Sequence, residues 1–406
     1  MDLNYTAQDQ EYRKTVRAWL KENIPGHRLE TQDQRKQWHR TLYDAGFIGM
    51  DWPKEYGGRE ARPVEQAIVS EELARAKAPT GVKELGISIV GPTLIHHGTD
   101  EQKERFLRTM LTGEEVWCQL YSEPNAGSDL ASLRCRADRE GDTFVINGQK
   151  VWTSGAEFAD WGLMLARTDR SAPKHLGISC ILIDMRAEGI EIRPLRQMTG
   201  SSEFSEVFFT DVRVPVSNLV GEMNAGWQIA QTTLSYERGG NMLRRVAHLQ
   251  SDFTRLMDLS REVQRDGKPL IEEPRMRARM GQIYSEIEVL RYASLRLLSK
   301  LEQGERPGPE ASVSKLHYSE LEVQVQELFA EILGPYARLS DAEHGDFHMN
   351  YSDIGDGDDG TWAFKLMFSR SGIIYSGSSQ IQKNVIGERV LGLPKEIRAD
   401  RLDRSS

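Results

Sequence analysis

Glu237 stands in the run Leu234-Ser235-Tyr236-Glu237-Arg238, inside a stretch whose spacing predicts a helix from about residue 226 to 249. On such a helix Trp227, Ala230, Leu234, Glu237 and Asn241 fall on one stripe, at i, i+3 and i+4 steps. A carboxylate on a largely apolar face is poorly hydrated, and its pKa rises toward the range a general base needs. Arg238 is the next residue, but neighbours in sequence point different ways on a helix, so it is not an automatic partner. Helix pattern by itself favours the plainer reading, a solvated glutamate on an ordinary amphipathic helix.

Three other groups could hold a ligand. Residues 120–131, Leu-Tyr-Ser-Glu-Pro-Asn-Ala-Gly-Ser-Asp-Leu-Ala, predict a tight loop with free backbone N–H groups and hydroxyls. Such a loop can cradle a phosphate or the polar edge of a planar cofactor, or it can be a simple β-turn. Trp152-Thr153-Ser154-Gly155 offers an aromatic plane followed by two hydroxyls at a strand end. That could flank a flavin ring, although a strand Trp is more often core. Ser379 and Gln382 have the spacing of a capping box, and the helix N-terminus they would open favours an anion such as a pyrophosphate. A plain helix cap explains the same residues.

These groups must be positioned by a chain of 406 residues, long enough for two or three domains. Its 52 Lys plus Arg stand against 61 Asp plus Glu, a net charge of −9, and no long basic run is present to neutralise a phosphate backbone. Nucleic acid is not an expected partner. Cys118, Cys135 and Cys180 are far apart with no CxxC, which argues against a zinc cluster or a disulfide framework and fits a reducing cytoplasm. No basic N-terminal region followed by an apolar segment is read, nor any run of apolar residues long enough for a membrane span.

Helix-period positions such as Tyr12, Val16, Leu20 and Val69, Leu73, Ala76 mark residues 1–116 as an N-terminal helical domain. Residues 117–222 change to short β-branched and aromatic runs at 143–153, 161–167, 177–184, 190–194 and 206–214. Asn147-Gly148, between two such runs, predicts a hairpin turn because both residue types accept positive φ. Helical periodicity returns over residues 223–406, interrupted by Gly/Pro-rich residues 304–309 and a Gly/Asp-rich stretch at 344–360. No metal site is expected. Residues 353–360 lack the alternating oxygen ligands of a calcium loop, since positions three and five from Asp353 are Gly, and His96-His97 has no ligand spacing with other histidines.

With these motifs in order, the chain resembles the acyl-CoA dehydrogenase family from near its N-terminus to about Lys395. The landmarks are Trp52-Pro53-Lys54-Glu55-Tyr56-Gly57-Gly58, the Ser122 to Ala131 loop, residues 148–154, residues 207–215 and Ser378-Ser379-Gln380-Ile381-Gln382. The resemblance implies an α+β multidomain fold: an N-terminal helical domain, a middle β-barrel and a C-terminal four-helix bundle, with FAD at their junction. It also implies α,β-desaturation of an acyl-CoA thioester, in which a Glu takes the α-proton, a hydride goes to flavin N5, and electrons pass on to an electron-transfer flavoprotein. The base of many relatives precedes the Gly of the C-terminal motif, where this chain has Ser376. A second branch, including isovaleryl-CoA dehydrogenase, carries its Glu on a bundle helix before an Arg, and Glu237-Arg238 is similar to that arrangement. By the same resemblance Gln119, Tyr121, Ser122, Ser128, Trp152, Thr153, Ser154, Ser378 and Gln380 fall on flavin-contacting positions, and Ser128 and Arg238 where relatives touch acyl-CoA.

Two regions depart from the family pattern. Motifs through which a neighbouring subunit contributes to the adenine half of FAD correspond to residues 265–270 and to Ile332-Leu333-Gly334-Pro335-Tyr336, the latter much altered. The chain is in this respect similar to an actinobacterial branch acting on steroid side chains, members of which can pair two different subunits. A homotetramer and a heterotetramer with a related subunit are both open. The rival functions are a non-catalytic or half-site subunit, and lyase or desulfinase chemistry in the same pocket. The acyl group is not specified by the sequence.

Overall fold

The computed structural model describes residues 5–27, 29–79, 81–82, 85–239, 242–305, 308–338 and 362–395, with residues 235–239 and 338 described as backbone alone. Its first helices are α1 (Ala7–Asn23), α2 (Gln32–Asp44), α3 (Pro63–Arg75), α4 (Gly91–His97) and α5 (Asp100–Thr112). Reciprocal caps open α1, α2 and α5: the hydroxyls of Thr6, Thr31 and Thr99 accept from the N3 amides, and Asp9, Gln34 and Gln102 return the bond. Val16, Leu20, Trp38, Leu42, Ile68 and Val69 form one core among α1 to α3. Ala76 falls at the cap of α3 and is exposed, so the apolar period ends a turn earlier than its spacing predicts. A π-helical turn, Gly86–Val90, runs directly into α4.

The middle of the chain is an eight-stranded sheet. Its strands are β1 (Trp117–Leu120), β2 (Arg136–Glu140), β3 (Thr143–Ser154), β4 (Trp161–Arg167), β5 (Ile178–Asp184), β6 (Ile190–Leu195), β7 (Phe204–Pro215) and β8 (Leu219–Val220). They pair in the order β6-β7-β3-β2-β4-β5-β8, and β1 lies parallel to β4. One face gathers Phe144, Ile146, Met164, Ile181, Val207 and Val212. The other face of β4 and β5, with Leu163, Leu165, Cys180 and Leu182, packs against helical residues such as Leu107, Ile229 and Ala230. Strands covered on both faces lose polar alternation, which is why β4 and β5 read as apolar runs.

The hairpin expected at Asn147-Gly148 is not formed. The turn lies between β2 and β3, where Gly141 has φ 62°, and β3 passes straight through residues 147 and 148. There β3 bulges against β7, and the Asn147 side chain bonds both the amide and the carboxylate of Asp211, at 3.1 and 2.9 Å. Gly148 is required by close approach: a Cβ would lie 2.7 Å from the Cys135 Cα.

The C-terminal helices are α6 (Gly226–Gly239), α7 (Met242–Glu262), α8 (Pro274–Glu302), α9 (Ala311–Leu333), α10 (Trp362–Gly372) and α11 (Ser379–Val385). Residues 240 and 241, within the single helix expected over 226–249, lie outside the described residues. Val246, Leu256, Ile287, Leu290, Leu321 and Phe329 join α7, α8 and α9 in one core. Gln264–Arg265 and Lys268–Pro269 make a short hairpin turned by Asp266 and Gly267, at φ 53° and 76°, and Leu270 opens the next 3₁₀ turn. Residues 332–336 end α9 and open a 3₁₀ turn, and the acidic stretch 344–360 lies outside the described residues. Among the described residues no helix is long and apolar enough to cross a membrane.

Candidate active site

The loop after β1 is fixed by a buried ion pair. Lys150, on β3, has no exposed surface, and its ammonium donates to Tyr121 O at 3.0 Å and to Glu123 Oε1 at 2.8 Å. The Glu123 carboxylate also accepts from the amides of Arg134 and Cys135, at 2.6 and 2.9 Å. Val151 N donates to Ser122 O at 2.9 Å, so the loop and the strand share main-chain contact as well. Burial beside this pair pushes the Cys135 thiol up to about 11, which keeps it neutral.

Two residues beyond Lys150 the strand is irregular. Its register against β7 shifts between Lys150 and Thr153, and Trp152 takes φ 60°, in the left-handed region. A side chain in that region is uncommon and marks a position the surroundings over-determine. The bulge turns the Trp152 ring outward, 59% exposed, while Thr153 is fully buried. Gln119, on β1, is half-buried. Gln119 Nε2 and Thr153 Oγ1 are both buried atoms without a hydrogen-bond partner among the described residues. A lone buried donor or hydroxyl costs free energy unless something meets it.

The expected site residues therefore form two groups. Gln119, Tyr121, Ser122, Trp152, Thr153 and Ser154 are brought together by β1, its following loop and β3, with Ser128 exposed farther along the loop. Ser378 and Gln380 stand at the start of α11, which packs on α9, and no hydrogen bond joins them to the first group among the described residues. The cap there is Ser378, not Ser379: Ser378 is extended, at φ −59° and ψ 161°, and its hydroxyl accepts from Ile381 N. Gln382 instead turns back on the preceding loop, donating to Ser376 O and Gly377 O at 2.8 and 3.2 Å. Ser379 Oγ is left buried without a partner among the described residues. Lys315, on α9 and almost fully buried, clamps the same loop through Gly372 O and Gly377 O, both at 2.9 Å.

Helix α6 carries the proposed base. Gly226, Ile229, Ala230 and Thr233 are its buried face, and residue 237 follows Thr233 by one turn on that face. The side chains of Glu237 and Arg238 lie outside the described residues. Thr233 is fully buried and accepts a hydrogen bond from the Tyr121 hydroxyl at 3.1 Å, which fastens α6 to the loop after β1. Sequence reading passed over Lys150, Glu123, Thr233 and Lys315, and gave Gln382 as half of a capping box. The signal for Lys150 and Glu123 was a lysine and a glutamate inside otherwise apolar, turn-rich motifs.

The residues present fit a flavin. An exposed indole, unsatisfied buried polar atoms at Gln119 and Thr153, and a loop anchored by a buried charge pair suit a planar ligand with a polar rim. Family models for the N-terminal, middle and C-terminal domains of acyl-CoA dehydrogenase match residues 6–114, 118–212 and 224–391. The chain is 38% identical to acyl-CoA dehydrogenase IpdE1 of Mycolicibacterium smegmatis, covering 96% of this chain and 99% of that one. Its fold is similar to the ChsE4-ChsE5 complex from Mycobacterium tuberculosis, with a TM-score of 0.83 at 31% identity over 98% of this chain and 100% of that chain. It is similar also to the Tcur3481-Tcur3483 steroid ACAD, with a TM-score of 0.80 at 30% identity over 98% of this chain and 100% of that chain. Sequence landmarks, site geometry and these likenesses agree that the chain belongs to the acyl-CoA dehydrogenase family of FAD-dependent oxidoreductases.

Proposed function

We propose that this chain desaturates an acyl-CoA thioester between Cα and Cβ, with the Glu237 carboxylate taking the α-proton. The single observation that carries this reading is the Tyr121 to Thr233 hydrogen bond, which seats the buried face of α6 against the cofactor loop one turn before Glu237. Trp152 and the 119–128 segment would hold FAD, which would supply the hydride acceptor, with an electron-transfer flavoprotein as the onward acceptor of the electrons.

The chain's own residues do the rest. Gln119 and Thr153 would offer polar atoms to the ring's edge, and Ser122, Ser128 and Ser154 would offer hydroxyls along the cofactor. Ser378 and Gln380, with the α11 amides, would hold its phosphates, and Ser128 and Arg238 would contribute to acyl-CoA binding. Ser376 occupies the loop position where many relatives carry the base, at φ 53°, and its hydroxyl is too weak an acid–base group to replace a carboxylate. On its likeness to the Tcur3481-Tcur3483 steroid ACAD, we assign a bulky, steroid-derived acyl group as the substrate class and a related chain as the partner subunit.

Glu237→Gln tests the base. The variant should bind FAD normally yet fail to bleach it with octanoyl-CoA, isovaleryl-CoA, cyclohexane-1-carbonyl-CoA or a steroid side-chain CoA thioester, at least one of which bleaches the unaltered protein. Full bleaching by the variant sinks the assignment. The altered 332–336 segment favours a second reading, a half-site subunit, in which no thioester bleaches the flavin of the unaltered chain.

A further inference from the structure

We propose that Thr233 is a positioning residue for proton abstraction, holding the base helix and the cofactor loop in one frame. This inference rests on the reading of Glu237 as the base. Three hydroxyls from three elements meet at this point. Tyr121 follows β1, Thr233 lies on α6, and Thr93 lies on α4, directly after the π-helical turn. The Tyr121 hydroxyl donates to Thr233 Oγ1 at 3.1 Å, and Thr93 Oγ1 lies 3.1 Å from the same atom.

Proton counting fixes the direction. Each hydroxyl has a single proton to give. That of Thr233 goes to Ile229 O, at 2.8 Å, back along its own helix, and that of Thr93 has Ile89 O at 2.7 Å. Thr233 is then the acceptor of the Tyr121 proton. All three residues are buried, two of them with no exposed surface. Water is excluded, and a bond lost here is not replaced by solvent.

The position matters more than the strength. Tyr121 is held at its carbonyl by Lys150 and at its hydroxyl by Thr233, so displacement on either side is transmitted to the other. Residue 237 is one turn from Thr233 on the same helix face, and a carboxylate must sit within hydrogen-bond reach of the proton it removes. Loss of the Thr233 hydroxyl should release α6 from the loop and slow proton removal while leaving the ring's own contacts in place.

Thr233→Val, Thr233→Ser, Tyr121→Phe and the Thr233→Val/Tyr121→Phe double variant test this in the flavin-loaded full chain, together with any related subunit it assembles with. Thr233→Val should bleach about tenfold more slowly with the active thioester, a loss typical of one buried hydrogen bond. Its rate should show a larger isotope effect with the α-deuterated thioester, because only proton removal has been slowed. FAD affinity of the apo form, read by quenching of flavin fluorescence, should stay within about twofold of the unaltered protein. Thr233→Ser restores the rate, and the double variant is no slower than the slower single one.

A Thr233→Val rate equal to that of the unaltered protein overturns the proposal, as does an unchanged isotope effect, loss of FAD binding, a slow Thr233→Ser or a double variant slowed by the product of the two. Glu237→Gln, measured alongside, separates the two ideas. If it bleaches fully, the base is misassigned; if it does not and Thr233→Val is unimpaired, the positioning role alone fails.

Discussion

The ammonium of Lys150 has exchanged all of its water for Tyr121 O and one Glu123 oxygen. A charge so buried stays only while its partner does, and breaking such a pair costs about 3–5 kcal/mol when the charge left behind has nothing to meet it. The two members are not equal in this respect. Lys150→Met leaves the Glu123 carboxylate with the Arg134 and Cys135 amides, whereas Glu123→Gln leaves an ammonium with no carboxylate at all. Glu123→Gln should therefore lower the urea midpoint more than Lys150→Met. Both should weaken FAD binding to the apo form by about tenfold, because the Tyr121 to Ser128 loop loses its anchor. An inverted order of midpoints, or unchanged FAD affinity, would refute that role. Neither residue was assigned from sequence: alternation places side chains by parity, and the bulges at Gly148 and Trp152 reset parity on either side of Lys150.

Helices and strands were more legible than single contacts. The run at 161–167 is β4 itself, and the runs at 143–153, 177–184, 190–194 and 206–214 fall on β3, β5, β6 and β7, because β-branched and aromatic spacing is a local property. Strands β1 and β2 were not read: four residues at Trp117–Leu120 and a charged edge at Arg136–Glu140 carry little pattern, and their pairing partners decide them. Among helices, α1 is tied to α3 by a contact no periodicity shows. Glu72 is 1% exposed and accepts from Arg13 at 2.8 Å and from Arg17 at 2.8 and 3.0 Å. Burial pushes its carboxyl pKa up, but the Arg17 and Arg13 guanidiniums outweigh it and hold the group below the ordinary value of 4.5. A carboxyl depressed in the folded state adds stability above its unfolded pKa and loses it as pH falls through the folded one. Glu72→Gln should thus cost about 3 kcal/mol at pH 7, and the gap to the unaltered protein should narrow on acidification below about pH 4. Chemical denaturation across that range measures it, and a gap independent of pH would show that the carboxylate's charge contributes nothing.

At the scale of the whole molecule, α8 turns Tyr284, Val289 and Tyr292 outward, each more than half exposed. Helix residues of that size sit in water at a cost of about 25 cal/mol per Å² of apolar area, which a subunit contact would recover. The complexes ChsE4-ChsE5 and Tcur3481-Tcur3483, to which the fold is similar, each join two differently named chains. We propose, on the family resemblance, that the altered 332–336 segment, whose Tyr336 is 71% exposed, contributes to a cofactor site shared with a second chain. Assembly and flavin content should therefore be linked. Produced alone, the chain should carry less than one FAD per protomer. Produced with a related acyl-CoA dehydrogenase chain, it should elute as a larger species with a higher flavin-to-protein absorbance ratio. Tyr292→Glu should undo both changes together by placing a charge in the contact, while leaving far-UV circular dichroism as it was. A chain that holds one FAD per protomer and bleaches with thioester in the absence of any second chain would show a self-sufficient homo-oligomer, and the partner proposal would fall while the base assignment stood.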